Sequence, residues 1–486
     1  MEPTRPQAKQ TRKQRGQFFT PRAVAKQLLQ LASTDLGERC FADLRGGCSV
    51  LDPACGDGAF LEAALDEGWA SDATALTGFD LDDTVIAGPA GATLEARDSL
   101  RSFSQLRGGF DVALGNPPYG GDGVRNLSRG ALSRLGRDFE TWRVVEGGRP
   151  LRSDARAADR LLRFPIATLF AELFVGSVRP GGVSALVLPE SFFANRRDGP
   201  VRAWLLRQAR LISLTELPPN TFAGAGTRAR TIFVVLQRRP SVLRAMEDAC
   251  AQDPPVRLRR LGASGFETER SVEDLQRSYR WDPGYHDPAW LDPTDLSRLP
   301  CRRLGEFIET LAYGAIRVGQ RPRLVSAGGA LYVTQRSVAD WGVDLDLCPR
   351  IAEEPPFVAP RFRLAPGDLV VPRCGRGTLG RNRLTRFDGS GDLCAVVDCF
   401  TDRVSLVGIS SAWVLGVLRS ELGWSQIRRT FNGVGTPNLS FGEIRALQVP
   451  VPDDATAVEA ERIWAAVGDG TEDIEALRAL VRTAIN

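Results

Sequence analysis

The sequence predicts an α/β fold with a doubly wound, mostly parallel sheet, followed by a second domain of α+β character. Between about residues 48 and 240, short runs rich in β-branched and large apolar residues alternate with helical patterns. Such alternation is typical of a parallel sheet with crossover helices. Beyond this region, short β-like pieces are broken by Pro and Gly. The length of 486 residues also favours two or three domains over one.

The rare residue types exclude several classes of enzyme. The chain has one histidine, His286, and its only lysines are Lys9, Lys13 and Lys26. No phosphate loop of the Gly-Lys-Ser/Thr type can therefore form, and one histidine cannot supply a two-histidine zinc site or an HNH-type nuclease. We therefore expect neither a motor or helicase that uses such a phosphate loop nor a metal centre.

Charge and cysteine usage indicate a globular protein of the cytoplasm. Apolar residues make up 43% and charged residues 25% of the chain, and the formal net charge is only +3, so any nucleic-acid surface is expected to be local. The nine cysteines form no C-x-x-C pair, which is typical of reduced thiols. The N-terminus lacks the apolar core of a signal peptide, and no apolar run is long enough to span a membrane.

The domain pattern begins with a basic arm, residues 1–17. Thr20 then suits a helix cap and Pro21 the first helical position. We expect a first domain over residues 18–245 and a second over residues 246–486. Within the first domain, residues 120–163 lack the strand–helix alternation and hold ten arginines against six acidic residues. This stretch is predicted to be a long basic insertion, of the kind that is usually functional or disordered.

The sharpest local feature is CSVLDPACGDGAFLEAAL, residues 48–65. A strand that ends at Asp52 leads into a tight loop with Gly56 and Gly58, and the chain leaves this loop as a helix. The two glycines allow the backbone to approach a ligand closely, and the helix start offers unpaired N–H groups to an anion. Asp80, 22 residues after Gly58, ends the next strand, where a nucleoside-binding α/β fold places the carboxylate for ribose hydroxyls. Asp98 follows a third run and could accept a hydrogen bond from an adenine amino group.

The second feature is FDVALGNPPYG, residues 110–120, at the end of a fourth run. Two consecutive prolines prevent helix continuation, so Asn116 is expected in a stiff turn at the carboxyl edge of the sheet, where ligands bind. The Asn116 side-chain oxygen and the Pro117 carbonyl can both accept N–H bonds from an aromatic amino group. These bonds return electron density to a nitrogen that is otherwise a poor nucleophile. Tyr119 offers a ring on which the base can stack.

In this order, the motifs resemble those of the γ-class DNA adenine-N6 methyltransferases of bacterial restriction–modification systems. RGQFFTP resembles the N-terminal cofactor motif, DPACGDGAFL the glycine loop, GFDLDD the ribose acid, ARDSL the adenine-contacting turn and NPPYG the catalytic motif. The resemblance covers most of residues 15–240 and implies a Rossmann-like, S-adenosylmethionine-dependent methyltransferase sheet. The family often has serine where this chain has Asp57.

The resemblance also implies a role for each matching residue. It assigns catalysis to Asn116, Pro117, Pro118 and Tyr119. The segment PPNTFAGAGTRARTIFVVLQRR resembles a later motif whose aromatic residue, here Phe222, packs with the tyrosine on a flipped base. The residues implied in binding S-adenosyl-L-methionine are Thr20, Asp52, Pro53, Ala54, Cys55, Gly56, Asp80, Leu81, Asp98 and Ser99.

The second half resembles the target-recognition domains of restriction specificity subunits, through YGAIRVGQRP, LAPGDLVVPRCGRGTLGRNR and FNGVGTPNLSFGEIRALQVPVP. This resemblance implies double-stranded DNA as a partner, together with a separate restriction or defence subunit. Phosphates or guanines would then be contacted by Arg373, Arg376, Arg381 and Arg383.

Two other functions stay open at this point. Protein-glutamine and RNA N-methyltransferases use similar Asn-Pro-Pro-Tyr turns, although they usually carry an accessory domain before the cofactor domain. A DNA-binding specificity module with an inert methyltransferase half is the other alternative. An inert site is disfavoured by the intact Asp52, Asp80, Asn116 and Tyr119. The lysine and histidine counts disfavour a fused nuclease.

Overall fold

The computed structural model divides the chain into two compact units, Met1–Asp287 and Pro288–Asn486. The predicted basic arm, residues 1–17, lies outside the described residues. The residues that the structure describes are 19–45, 48–119, 128–144, 149, 161, 164–222, 230–289, 300–317, 319–375, 377–389, 393–431 and 438–485.

A single nine-stranded sheet forms the centre of the first unit. Its strands are β1 (Val50–Asp52), β2 (Leu76–Asp80), β3 (Thr93–Ala96), β4 (Phe110–Gly115), β5 (Val178–Pro189), β6 (Ala209–Glu216), β7 (Thr231–Arg238), β8 (Val256–Arg260) and β9 (Phe266–Arg270). They lie in the order β3-β2-β1-β4-β5-β7-β6-β8-β9. β1 pairs in parallel with both β2 and β4, whereas β7 is antiparallel to β5 and β6. The chain therefore changes sides at β1, and such a switch point is where open α/β sheets bind ligands.

Helices connect most of these strands. They are α1 (Arg22–Arg45), α2 (Ala59–Asp66), α3 (Phe103–Leu106), α4 (Arg129–Asp138), α5 (Ile166–Ser177), α6 (Glu190–Ala194), α7 (Gly199–Gln208), α8 (Glu247–Gln252) and α9 (Val272–Ser278). α2 and α5 fall on the segments FLEAALDE and IATLFAELFVGS, whose apolar patterns predict helices between strands.

Both faces of the sheet are buried. On β5, Ala185 and Val187 belong to one apolar cluster, whereas Leu186 and Leu188 belong to another. Because successive side chains of a strand point to opposite faces, the two clusters cover opposite sides of the sheet. The predicted doubly wound α/β fold is confirmed. The apolar runs CSVLD, LTGFD, FDVALGN, GGVSALVLP, LISLTEL and RTIFVVLQ correspond to β1, β2, β4, β5, β6 and β7.

β8 and β9 extend the sheet beyond residue 245, the predicted end of the first domain. β8 pairs in parallel with β6, and β9 is antiparallel to β8. Asp35 on α1 accepts hydrogen bonds from Arg257 and Arg259 of β8, at 2.9 and 3.0 Å, and its side chain is almost fully buried. The structure thus divides the chain at Asp287, about 40 residues later than predicted. The two strands read VRLRR and FETER. Val256 and Leu258 of β8 are buried in an apolar cluster, and Arg259 of β8 pairs with Asp35 and with Glu267 of β9.

Part of the predicted basic insertion is a packed helix. Leu132 and Leu135 on α4 and Phe139 after it are buried in one of the two apolar clusters. Glu172 on α5 accepts the backbone N–H of Thr141 at 2.8 Å, and burial raises the pKa of this carboxyl to about 7. The prediction of a loop is therefore wrong for residues 128–144, because apolar residues three and four apart form a helical stripe there.

The second unit combines small sheets with a group of helices. Its strands are β10 (Cys301–Arg303), β11 (Ile308–Tyr313), β12 (Ala330–Val333), β13 (Val338–Ala339), β14 (Gly342–Val343), β15 (Arg350–Ile351), β16 (Leu369–Pro372), β17 (Thr385–Arg386), β18 (Ala395–Val397), β19 (Thr401–Leu406) and β20 (Gln448–Pro450). The largest sheet has the order β11-β19-β16-β17. The helices are α10 (Ser411–Arg419), α11 (Glu421–Thr430), α12 (Phe441–Ala446), α13 (Asp454–Gly468) and α14 (Ile474–Ile485). Trp413 and Trp464 are buried in the core between helices and sheet, and the predicted α+β character is confirmed.

Within the described part of the chain, no helix has the length and apolar character needed to cross a membrane. The same residues contain no group of three or more His, Cys, Asp or Glu side chains that could hold a metal ion.

Candidate active site

The glycine loop after β1 is packed tightly against the segment that follows β2. The Ala87 amide donates a hydrogen bond to the Gly56 carbonyl oxygen at 3.1 Å. Gly56 and Gly58 have φ angles of +49° and +77°, and a Cβ on Gly58 would lie 2.2 Å from the Ala87 oxygen. Both positions therefore require glycine. α2 begins at Ala59, directly after the loop, so its first N–H groups lie at this edge of the sheet.

Asp80 lies at the carboxyl end of β2, beside the same loop. Its Oδ2 accepts the Gly56 N–H and its Oδ1 accepts the Asp82 N–H, each at 3.0 Å. These bonds fix the carboxylate, and each oxygen keeps a lone pair for a ligand hydroxyl. Burial raises the pKa of Asp80 above its ordinary value. The next residue, Leu81, leaves 76% of its surface exposed, which is a large apolar surface beside a polar group.

Asp52 is buried beneath the start of the Asn-Pro-Pro-Tyr turn. Only 1% of its surface is exposed, and its Oδ1 accepts the Ala54 N–H at 3.0 Å. Burial raises the pKa of Asp52 to about 8. Gly115 has a φ of +150°, and a Cβ there would lie 2.5 Å from the Asp52 Oδ1. Glycine is therefore required directly before Asn116, a requirement that the sequence analysis did not identify.

Three further residues predicted to bind the cofactor differ in accessibility. Ser99 is buried and donates a hydrogen bond to the Pro53 carbonyl oxygen at 2.7 Å, which holds the turn after β3 against the glycine loop. Asp98 is half-buried, and its Oδ1 accepts the Arg101 N–H at 3.1 Å. Cys55 is buried, and burial raises the pKa of its thiol far above the ordinary value. Cys55 is thus suited to packing rather than to nucleophilic chemistry.

Asn116 directly follows β4, and both ends of its carboxamide are engaged. Its Nδ2 donates a hydrogen bond to the Thr20 Oγ1 at 2.9 Å, and its Oδ1 accepts one from the Tyr119 hydroxyl. Burial raises the pKa of Tyr119 well above its usual value, so the phenol stays neutral. α1 begins at Arg22, and Pro21 directly precedes it, so the predicted start at Pro21 is one residue early. The Thr20 hydroxyl, expected to cap this helix, instead contacts Asn116.

The rest of the turn is partly covered. Pro117 is buried, and Pro118 and Tyr119 are half-buried. Tyr119 packs against the apolar cluster that contains Phe222, and only 3% of the Phe222 surface is exposed. Of the two aromatic residues predicted to contact a base, Phe222 thus lies within this cluster and Tyr119 packs against it.

Phe19 is a site residue that the sequence analysis did not assign. A Cβ on Gly56 would lie 2.8 Å from the Phe19 Cε1, so the ring lies directly against the glycine loop. One feature of the sequence indicates this role. Phe19 directly precedes Thr20 in the QFFT segment, which as a whole resembles a cofactor motif.

The glycine loop, Asp80 and Asn116 lie at the carboxyl ends of β1, β2 and β4, on both sides of the switch point. The loop at Gly56, the fixed carboxylate of Asp80 and the exposed Leu81 fit S-adenosylmethionine. The loop suits close backbone approach, the carboxylate suits ribose hydroxyls, and the leucine suits the face of an adenine ring.

In the second unit, the four arginines predicted to contact DNA have different environments. Arg373 stacks on Tyr313, with its Cζ 3.7 Å from the ring centroid, and its Nε lies 3.5 Å from the Oδ1 of the fully buried Asp402. Arg381 and Arg383 are exposed. Arg376 lies outside the described residues.

Comparison with known proteins identifies a family. Residues 5–248, about half of the chain, match the family described as N-6 DNA Methylase. The type II methyltransferase M.HincII of Haemophilus influenzae is 25% identical over 193 residues, which cover 39% of this chain and 31% of the relative. The type I restriction enzyme MjaIX methylase subunit of Methanocaldococcus jannaschii is 23% identical over 221 residues, covering 43% of this chain and 35% of that protein. The matches thus span about a third of the length of these curated relatives.

Among solved structures, the type IIL restriction-modification enzyme MmeI, in complex with DNA, aligns with 98% of this chain and 76% of its own. The TM-score is 0.53 and the identity 10%, so this similarity shows the fold alone. The family match spans the glycine loop, the Asp80 carboxylate and the Asn-Pro-Pro-Tyr turn. This chain therefore belongs to the N-6 DNA methylase family, whose methyl donor is S-adenosylmethionine.

Proposed function

We propose that this protein methylates the N6 nitrogen of a specific adenine in double-stranded DNA, as the modification component of a restriction or phage-defence system. The observation that carries the proposal is the Asn116 carboxamide, fixed at the carboxyl end of β4 on the same sheet edge as the glycine loop. Because the substrate is cellular DNA, the cytoplasm is the expected compartment. A separate restriction or defence subunit is the further partner that we propose.

The chemistry of an adenine amino group explains why this turn suits the reaction. The lone pair of N6 is delocalised into the ring, so the nitrogen is a weak nucleophile. Asn116 Oδ1 and the Pro117 carbonyl oxygen can each accept a hydrogen bond from one of the two N6–H groups. These hydrogen bonds return electron density to the nitrogen and orient its lone pair. S-adenosylmethionine, when bound, supplies a methyl group on a positively charged sulfur. As the new C–N bond forms, the methyl–sulfur bond would break and its electron pair would stay on sulfur. The extra proton would leave N6 for solvent, so no histidine is required.

Aromatic packing would hold the base outside the duplex. Flipping a base costs a few kcal/mol of unstacking. Tyr119 would stack on the flipped adenine, and Phe222 would supply a second aromatic contact from the same apolar cluster. The Asn116 Oδ1 accepts from the Tyr119 hydroxyl and has a second lone pair for the substrate amino group.

We propose that the second unit supplies sequence recognition through its arginines. Arg381 and Arg383 are exposed on either side of Asn382, whose φ of +55° forms a tight turn, and they suit phosphate contacts. Arg373 is held by Tyr313 and suits a base contact. Arg376 is proposed on the sequence resemblance alone.

Methyl transfer with purified protein tests the proposal. S-adenosylmethionine with a labelled methyl group is incubated with duplex DNA, RNA or a protein extract, and the DNA is digested to nucleosides. We expect label in N6-methyldeoxyadenosine with the wild type and none with Asn116→Ala. Calorimetry should show that the variant still binds the cofactor.

The other outcomes separate the alternatives. Label in RNA or in glutamine side chains, and none in DNA, would support the alternative methyltransferases. DNA binding without S-adenosylmethionine binding, and without transfer to any of the three acceptors, would support the inert specificity module.

A further inference from the structure

We propose that Thr20 is a positioning residue, whose hydroxyl oxygen holds the Asn116 carboxamide in the orientation that presents Oδ1 to the substrate amino group. This inference rests on the proposed function. It assigns Thr20 a role in the chemical step, whereas the sequence resemblance implies cofactor binding.

The geometry that supports the inference is a hydrogen bond between distant parts of the chain. Thr20 lies just before α1, and Asn116 directly follows β4, 96 residues later. The Asn116 Nδ2 donates to the Thr20 Oγ1 at 2.9 Å, which is an ordinary length for such a bond. Only 5% of the Thr20 surface is exposed, so water does not compete freely for this oxygen. The bond is therefore a defined feature of the site rather than a surface contact.

The chemistry of a carboxamide explains why such a contact is needed. The oxygen and nitrogen ends have nearly the same shape, but one accepts hydrogen bonds and the other donates them. In the flipped orientation Nδ2 would face the adenine amino group. Both groups are hydrogen-bond donors, so no hydrogen bond could form between them. The backbone of the turn cannot prevent this flip, because it fixes where the side chain starts and not which end points outward. The Thr20 hydroxyl can donate as well as accept, so it fixes the plane and position of the carboxamide. With Oγ1 accepting from Nδ2, as in the structure, Oδ1 is the end presented to the substrate.

Two neighbouring features keep Thr20 in place. Phe19 lies against Gly56 of the glycine loop, and α1 begins two residues after Thr20. Ala25 and Leu28 on α1 are fully buried. Thr20 is thus held between a packed ring and a packed helix, which limits the movement of its hydroxyl.

Thr20→Val tests the inference, because valine keeps the shape of threonine and removes the hydroxyl oxygen. At saturating S-adenosylmethionine and DNA, we expect the single-turnover methylation rate to fall on the order of 10- to 100-fold, as misplaced catalytic groups do. The KM for S-adenosylmethionine should stay within about twofold of wild type, because the contact acts on Asn116. Thr20→Ser retains the oxygen and should restore the rate to within about threefold. Thr34→Val is the matched control, because the Thr34 hydroxyl bonds only a carbonyl of α1 among the described contacts.

A role in cofactor binding alone predicts the opposite result. In that case Thr20→Val would raise the KM for S-adenosylmethionine and leave the rate at saturation unchanged, and this outcome would overturn the inference. A loss of rate that Thr20→Ser does not restore would also overturn it.

A second readout is independent of activity and of any ligand. In protein labelled with ¹⁵N at asparagine, the Asn116 side-chain amide signal is assigned by its loss in Asn116→Ala. We expect Thr20→Val to shift this signal and to speed its exchange with solvent, whereas Thr20→Ser and Thr34→Val leave it in place. An unchanged signal in Thr20→Val contradicts the inference. If the wild type methylates no adenine, the proposed function fails, and this signal separately decides whether Thr20 orients Asn116.

Discussion

At the scale of single residues, Asp52 links the stability of the first unit to pH. Burial raises the pKa of this carboxyl to about 8 in the folded protein, whereas an unfolded chain has a value of about 3.9. The folded state therefore binds the proton more tightly. The stability that this proton contributes is complete below about pH 4 and is lost as the pH rises through about 8.

The Asp52→Asn variant should lose this pH dependence, because the amide keeps an oxygen for the Ala54 N–H and carries no charge. We expect the Tm of the variant to exceed that of the wild type by an amount that widens between about pH 5 and pH 8 and then levels off. Thermal unfolding across this range, without ligand, measures the difference. A difference that does not change with pH would contradict the assignment of a protonated Asp52.

Gly115 is a second residue whose effect can be measured. A Cβ at this position would meet the Asp52 carboxylate at 2.5 Å, and the φ of +150° is unfavourable for alanine. Gly115→Ala should therefore destabilise the first unit by more than about 1 kcal/mol and reduce methylation at least about tenfold, because Asn116 is displaced. Gly130→Ala is the matched control, since no atom lies within 4 Å of its added Cβ. Equal activity and Tm in the two variants would show that the turn tolerates a side chain.

The residues of the site differ in how far the sequence could predict them. Asp80 and Asn116 are predictable, because each ends a strand within a short motif with its own chemistry. The contact between Thr20 and Asn116 is not, because 96 residues separate the partners and only the packing of α1 brings them together. Gly115 could have been identified, since glycine directly precedes the Asn-Pro-Pro-Tyr turn.

At the scale of elements, a buried ion pair connects α1 to β8. Asp35 is almost fully buried and accepts hydrogen bonds from Arg257 and Arg259. Asp35→Asn removes the buried carboxylate that accepts from both arginines, which keep Glu267 of β9 as a partner, and we expect a loss of about 2 kcal/mol of unfolding free energy. Asp66→Asn is the control, because its partner Arg22 is 55% exposed and such pairs contribute about 0–1 kcal/mol.

The difference in Tm between these two variants checks the connection. If both variants melt like the wild type, the ion pair at Asp35 does not hold β8 in the first unit.

The strands of the sheet show which elements a sequence pattern can predict. The central strands are buried on both faces and appear as apolar runs. β8 and β9 lie at the edge of the sheet and carry mostly charged residues, which pair with Asp35 on α1 and across the two strands. From the sequence alone, these charged residues resemble a solvated surface, because the residues with which they pair in the folded protein are not apparent. α4 was missed for a different reason, because arginines surround its apolar stripe.

At the scale of the whole molecule, the two units predict where the chain can be divided. A fragment of residues 1–287 retains all nine strands of the first sheet. We expect it to fold cooperatively and to bind S-adenosylmethionine. A fragment of residues 1–245 lacks β8 and β9 and exposes the edge of β6, so it should aggregate or unfold at a lower temperature.

Thermal unfolding and cofactor titration of the two fragments distinguish these outcomes. Equal stability of both fragments would favour the boundary at residue 245 that the sequence suggests.

Sequencing of DNA from cells tests the central claim most directly. DNA is taken from a host without its own methylation that expresses either the wild-type chain or Asn116→Ala, and modified bases are detected on single molecules. We predict N6-methyladenine at one sequence motif with the wild type and none with the variant. A mark that persists in Asn116→Ala would contradict the role of the Asn-Pro-Pro-Tyr turn. Unmarked DNA from cells that contain folded wild-type protein would contradict adenine methylation by this chain alone.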